Sequence, residues 1–193
     1  MRSHAIHYLI LPGWQGSPAE HWQSHWQGSL PDASRAEQRD WQTPQRADWV
    51  ATLERHIAAA PGRLILVAHS LGCVTLAHWA AQAAPALLAK VKGALLVAPA
   101  DVERPGCPAE LQNFAPMPRQ LLPFPSLLVG SDNDPAATPA RALELARLWG
   151  AEPVLLAGAG HINVKSGHCR WEQGFAYLYR LQNLIEQHAR RLA

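Results

Sequence analysis

Ser70 lies in the pentapeptide Ala68-His69-Ser70-Leu71-Gly72, directly after the apolar run Leu64 to Ala68 and directly before an amphipathic stretch from Cys73 to Gln82. A buried strand that feeds a helix through so short a turn forces its central residue toward positive φ. That lifts the side chain above the carboxyl end of the strand, where a serine is presented as a nucleophile. The residues two before and two after must be small, because the two backbones pass in contact there. Ala68 and Gly72 are small, although the usual pattern has glycine at both places. The same five residues also suit a helix-capping serine that follows a strand, so the rest of the chain has to decide.

A serine hydroxyl is a poor nucleophile near neutral pH. It needs a base to take its proton, and the base needs an acid to hold its tautomer. When strand, turn and helix present the serine in this way, acid and then base follow in chain order from loops at the ends of later strands. The run Ser126 to Val129 leads into Gly130-Ser131-Asp132-Asn133-Asp134-Pro135, and Pro153 to Leu156 leads into Gly158-Ala159-Gly160-His161. The two glycines before His161 permit a tight backbone that aims the imidazole at Ser70. Two acids compete in the earlier loop. Asp134 precedes proline, which biases it to an extended conformation, and it is the favoured partner; Asp132 can cap the turn or take its place. Asp101, in Val97-Ala98-Pro99-Ala100-Asp101, reads as a loop cap. A tetrahedral intermediate also needs two backbone donors. Position assigns these to the N–H groups of Leu71 and Trp14, the latter in the loop Pro12 to Ser17, although a plain glycine turn would read alike. Trp14 and Trp171 flank these loops and, with Phe114 and Met117, are candidates to line an apolar acyl pocket.

Six strand-like runs alternate with helix-like ones, so the expected fold is α/β: a single domain over 1–193 with about six mostly parallel strands, helices on both faces and no large lid. The strands are expected at His4–Leu11, Arg35–Arg39, Leu64–Ala68, Val91–Val97, Ser126–Val129 and Pro153–Leu156. Helices are expected from the capping signal Ser17-Pro18-Ala19-Glu20 to about Gln27, then at Asp48–Ala60, Leu71–Ala83, Pro139–Trp149 and Trp171–Arg190. Asp101 to Pro125 carries six prolines. Such a tract can be neither central strand nor long helix and is expected as an ordered loop over the carboxyl end of the sheet, where ligands bind in open α/β sheets.

The segments LPGWQGSPAEHW, AHSLGC, LLVAPAD, GSDNDP and GHINVKSGHCRW resemble the small, lidless α/β-hydrolase family related to retinoblastoma-binding protein 9. The resemblance spans essentially the whole chain, and Gly160-His161-Ile162-Asn163 with Ser166-Gly167-His168 and Trp171 is its most specific part. It implies a six-stranded hydrolase core and a Ser-Asp-His triad on Ser70, Asp134 and His161. Ala68, where many relatives have glycine, is the departure.

Other signals exclude more than they suggest. The net charge of +2 and the lack of any basic run longer than Arg190-Arg191 give no reason to expect nucleic acid. No stretch approaches the roughly 18 apolar residues of a membrane span. The amino terminus reads as a first strand and not as a secretory leader, and three widely spaced cysteines argue against a disulfide framework. The expected setting is therefore cytoplasmic. His21 and His25 share a helix face but have Trp22 between them where a zinc hydrolase would have glutamate, so they read as a solvated face, with no metal or cofactor expected. Cys73 reads as a small buried hydrophobe. The expected activity is cleavage of small esters, thioesters or amides through an acyl-enzyme. The rival expectation is a protein-interaction scaffold with vestigial catalysis. Its nearest support is Leu71-Gly72-Cys73-Val74-Thr75, which lacks the glutamate of the L-x-C-x-E motif that binds pocket proteins.

Overall fold

The computed structural model describes residues 6–191. Strands β1 (Ile6–Leu11), β2 (Ala33–Arg35), β3 (Arg63–His69), β4 (Val91–Val97), β5 (Ser126–Ser131) and β6 (Glu152–Leu156) form one six-stranded sheet in the order β2-β1-β3-β4-β5-β6. Every neighbouring pair is parallel. The strands alternate with helices α1 (Trp22–Ser29), α2 (Arg46–Ala59), α3 (Leu71–Ala80), α4 (Pro85–Leu88), α5 (Pro139–Trp149) and α6 (Gly174–Arg191).

The near-continuous apolar strands are explained by cover on both faces, since successive side chains point to opposite sides. Leu64, Leu66 and Ala68 of β3 pack with Leu53 of α2, Val74 of α3 and Trp149 of α5. Ile65 and Val67, on the other side, pack with Trp22 and Trp26 of α1 and with Leu178 and Leu181 of α6. All five of these β3 residues are fully buried, the leucines, isoleucine and valine contributing about 1.5–3 kcal/mol each. The strand order reverses between β1 and β3, so the loops leaving their carboxyl ends diverge and open the crevice in which doubly wound sheets bind ligands.

Several boundaries differ from expectation. The first helix begins at Trp22 and not at Pro18, because Ser17 spends its hydroxyl on the Gln23 side chain, 2.7 Å away, and His21 is the capping residue, its ring nitrogen accepting from Gln23 N–H at 3.2 Å. The second strand is Ala33–Arg35, four residues earlier in its end than expected, since β1 pairs only with that stretch and Ala36 then bonds Ile10 carbonyl. The third helix stops at Ala80, and the closing helix begins at Gly174 after Trp171 has turned through φ 45°. His4 and Ala5, expected in the first strand, lie outside the described residues. The proline-rich tract holds only a 3-10 helix, Ala109–Phe114. Its middle packs on α2 and α3, with Phe114 set edge-on to Trp49 and its carbonyl accepting from His78.

The start of α3 is pressed against the end of β1. A Cβ at Gly72 would sit 2.4 Å from the Leu11 carbonyl oxygen and 2.7 Å from that of Pro12. Backbone atoms of a buried strand cannot yield, so Gly72→Ala is expected to destabilise the protein by about 1–3 kcal/mol, measured as a lowered urea midpoint at unchanged m-value.

Candidate active site

Ser70 has φ 55° and ψ −121°, a conformation costing about 1–3 kcal/mol for a residue with a side chain. It is held there because its N–H donates to Val97 carbonyl at 3.0 Å while Cys73 N–H donates back to Ser70 carbonyl at 3.0 Å, closing the strand-to-helix turn within a few residues. The Ser70 hydroxyl lies 2.9 Å from Nε2 of His161. On the other side of the ring, Nδ1 lies 2.9 and 3.0 Å from the two carboxylate oxygens of Asp134. A carboxylate only accepts, so Nδ1 carries the hydrogen and Nε2 presents its lone pair to the hydroxyl. The Asp134 side chain is only 3% exposed and takes a further bond from Ala136 N–H at 2.8 Å.

The loop after β5 and the loop after β6 are bonded side chain to backbone, residue by residue. Asp132 accepts from Gly158 N–H at 2.7 Å, Ser131 hydroxyl accepts from Ala159 N–H at 3.0 Å, and Asn133 accepts from Gly160 N–H at 2.7 Å. Asp132 is thus occupied with the glycine turn, and Asp134 alone of the two acids meets the imidazole. Gly158 and Gly160 adopt φ 63° and 57°, as the tight turn before His161 requires. Beyond the histidine, Asn163 and Ser166 cap each other around a single 3-10 turn, and a Cβ on Gly160 would collide with Ser166 at 2.7 Å.

Across the crevice, the loop Pro12 to Ser17 comes so close that a Cβ on Gly13 would lie 2.7 Å from Ser70 Cβ and 3.3 Å from its hydroxyl oxygen. Gln15, at φ 67°, donates its N–H to Trp41 carbonyl, and the Trp14 indole donates to Gln42 carbonyl at 2.8 Å, tying this loop to the segment after β2. The backbone N–H groups of Trp14 and Leu71 find no acceptor among the described residues.

The expected pocket residues do not converge. Phe114 and Met117 are buried in the core on the α2–α3 side of the sheet, whereas Trp171 is buried on the other side, stacked on Trp26 at 5.8 Å. Phe114, Met117 and Trp171 are all buried and present little surface to a bound acyl group. The scaffold reading also loses its segment, since Leu71 and Cys73 are fully buried. Asp101 is a loop cap, accepting from Glu103 N–H at 3.1 Å.

Residues 8–180 match the family described as serine hydrolase. The chain belongs to the serine hydrolase family. A structure described as a YdeN-like hydrolase of Pectobacterium atrosepticum is 32% identical, over 94% of this chain and 91% of that one, with a TM-score of 0.79. The ydeN product of B. subtilis superposes at TM-score 0.75 with 18% identity, over 92% and 98% of the two chains. A hydrolase of the alpha/beta superfamily from Xanthomonas campestris does so at 0.61 with 19% identity, over 92% and 98%. At those lower identities the likeness concerns the fold, which is that of an α/β-hydrolase. No curated protein matches significantly. Among the described residues of this hydrolase, no helix is long and apolar enough to cross a membrane.

Two histidines that were not among the expected site residues back the site. His21 and His69 are each 4% exposed, their rings 4.9 Å apart, and the His69 ring lies 5.0 Å from that of His161. His21 is therefore not on a solvated face; burial of its ring against Trp22 and His69 corrects that expectation. His69 Nε2–H donates to the His161 carbonyl at 2.9 Å. Burial first, then the neighbouring His161 and His21, hold His69 well below the ordinary histidine range. Burial, then Arg35 and His161, push His21 down to about 4. Both rings are thus neutral in the folded hydrolase, while in the unfolded chain they take up protons near pH 6.5. As pH falls from about 6.5 to 4 the unfolded state gains protons that the native state refuses, so stability is lost across that window, on the order of 3 kcal/mol from His21 alone. Urea unfolding at pH 7 and 4.5 should show the drop. His21→Asn, which retains a capping side chain, should make it smaller.

Proposed function

We propose that this hydrolase cleaves small ester, thioester or amide substrates through an acyl-enzyme on Ser70. The observation that carries the reading is the unbroken chain of contacts from the Asp134 carboxylate through both nitrogens of His161 to the Ser70 hydroxyl, each at 2.9–3.0 Å. Ser70 Oγ attacks the carbonyl carbon as its proton passes to His161 Nε2. The imidazolium so formed is held by Asp134, and the negative charge on the carbonyl oxygen is met by the N–H groups of Leu71 and Trp14. Collapse of the intermediate expels the alcohol, thiol or amine, which takes the proton from Nε2. Water then repeats the sequence on the acyl ester and frees the serine. The free N–H groups support the oxyanion assignment, as does Gly13, whose lack of a side chain lets that loop approach the nucleophile.

The substrate is taken to be a small molecule, with neither nucleic acid nor membrane invoked and no cofactor needed for the chemistry. A panel of p-nitrophenyl esters of graded acyl length, with thioester and aminoacyl analogues, defines the class. Ser70→Ala is expected to lose turnover by factors of thousands and all labelling by a fluorophosphonate; retention of either by the pure variant sinks the mechanism. Asp134→Asn is expected to lower kcat by about 10³ to 10⁴ through the wrong tautomer. Asp132→Ala, which removes only the acceptor for Gly158 N–H, should cost about fivefold, as for one lost hydrogen bond of roughly 1 kcal/mol. Equal losses at the two positions would leave the acid unassigned and contradict the Asp134 assignment.

A further inference from the structure

Gln23, in the first turn of α1, is fully buried, and its amide is bonded at both the nitrogen and the oxygen. Its NH2 group donates to Leu11 carbonyl at 3.1 Å and to Val67 carbonyl at 3.1 Å, while its oxygen accepts from Ser17 hydroxyl at 2.7 Å. Leu11 ends β1 immediately before the Pro12–Ser17 loop, and Val67 stands three residues before Ser70 on β3. One side chain therefore ties together the ends of the two strands that deliver Trp14 N–H and Leu71 N–H, and it holds the far end of the Trp14 loop as well. An apolar side chain of the same volume would spare the amide its desolvation but leave the two strand-end carbonyls without this donor. The adjoining residue points the same way: Trp22 indole donates at 2.9 Å to Ile162 carbonyl, next to His161.

We infer that Gln23 is the positioning residue of the oxyanion site, fixing the separation of the Trp14 and Leu71 N–H groups by bracing the carboxyl ends of β1 and β3. This rests on the serine-hydrolase mechanism proposed above. Donors set about 1 Å out of place lose much of their value in the transition state while leaving ground-state binding almost untouched. The two strand ends are already parallel neighbours, with Leu11 opposite Ala68. The amide therefore adjusts the end of that pairing, where the chains diverge and the ladder no longer constrains them.

The test compares wild type, Gln23→Met and Gln23→Asn on p-nitrophenyl acetate and with a phenylboronic acid, which binds the serine as a tetrahedral anion. Met fills the space with no donor; Asn keeps a buried amide but is one methylene short, and it serves where the Met variant fails to fold. The expected result is a fall in kcat of about 10- to 100-fold for Met, smaller for Asn, with KM within about twofold. Boronate affinity should fall by the same factor as kcat/KM. Leu53→Ala, a cavity in the core between α2 and the sheet, controls for lost stability and should leave kcat within about twofold. A folded Gln23 variant with wild-type kcat and boronate affinity overturns the positioning role while leaving the mechanism intact. Wild-type protein that neither turns over any activated ester nor reacts with fluorophosphonate overturns the mechanism, and the role with it.

Discussion

The site depends on one crowded place, where the backbone leaving β1 and the backbone turning from β3 into α3 are in van der Waals contact. Gly72 meets the Leu11 and Pro12 carbonyls, and Gly13 meets Ser70. Nothing larger than hydrogen fits at either glycine, so no side chain separates the proposed oxyanion loop from the proposed nucleophile. The positive φ of Ser70 follows from the same constraint, because a relaxed turn would swing α3 away from β1. The parallel ladder of β3 with β1 and β4, together with a fully buried apolar surface on both faces, holds the strained turn in place. Local strain of this kind persists only where the surroundings over-determine it.

The other half of the site is organised by polar side chains. Ser131, Asp132 and Asn133 each accept one N–H of the Gly158–Gly160 turn, and Asp134 takes the imidazole itself. A turn with two glycines in the left-handed region has many conformations available to it when free. Three side-chain acceptors reduce these to the one that delivers His161. The imidazole is thereby located to within a hydrogen bond of a serine 91 residues earlier in the chain. The polar run after β5 and the glycine-rich run after β6 are two parts of a single device.

Much of this was legible in the sequence because it is local. The apolar run ending in Ala68, the serine before Leu71-Gly72 and the glycines before His161 each express a backbone requirement within a few residues. The choice of Asp134 over Asp132 also came from a local feature, the proline at 135. What could not be read depends on which residues face each other across layers. Ser17-Pro18-Ala19-Glu20 has every mark of a helix start, yet a tertiary bond from Ser17 to Gln23 takes the hydroxyl and shifts the helix to Trp22. Phe114 and Trp171 looked equally suited to a pocket, but they lie on opposite faces of the sheet, which only the three-dimensional arrangement reveals. His21 read in one dimension as part of a solvated face, and Gln23 gave little signal. A glutamine inside an apolar helix face, flanked by Trp22 and Trp26, is the one hint that a buried amide has carbonyls to satisfy.

The histidines behind the site place a limit on how such a hydrolase can be built. During the proposed turnover His161 becomes an imidazolium; the His69 ring lies 5.0 Å from it and the His21 ring 4.9 Å from that of His69. Were either protonated, its charge would oppose the one that has to form on His161, and the base would be weakened. Burial prevents this by making their charged forms unfavourable, and the bond from His69 to the His161 carbonyl uses the neutral ring as a donor without bringing in charge. The rings therefore give the loop a polar hold and a packed backing that an aliphatic side chain could supply only in part. The accompanying cost falls on the stability of the whole fold in acid and not on the chemistry of the serine. The same burial that keeps these imidazoles neutral near the base makes the protein weaker as the solution becomes acidic.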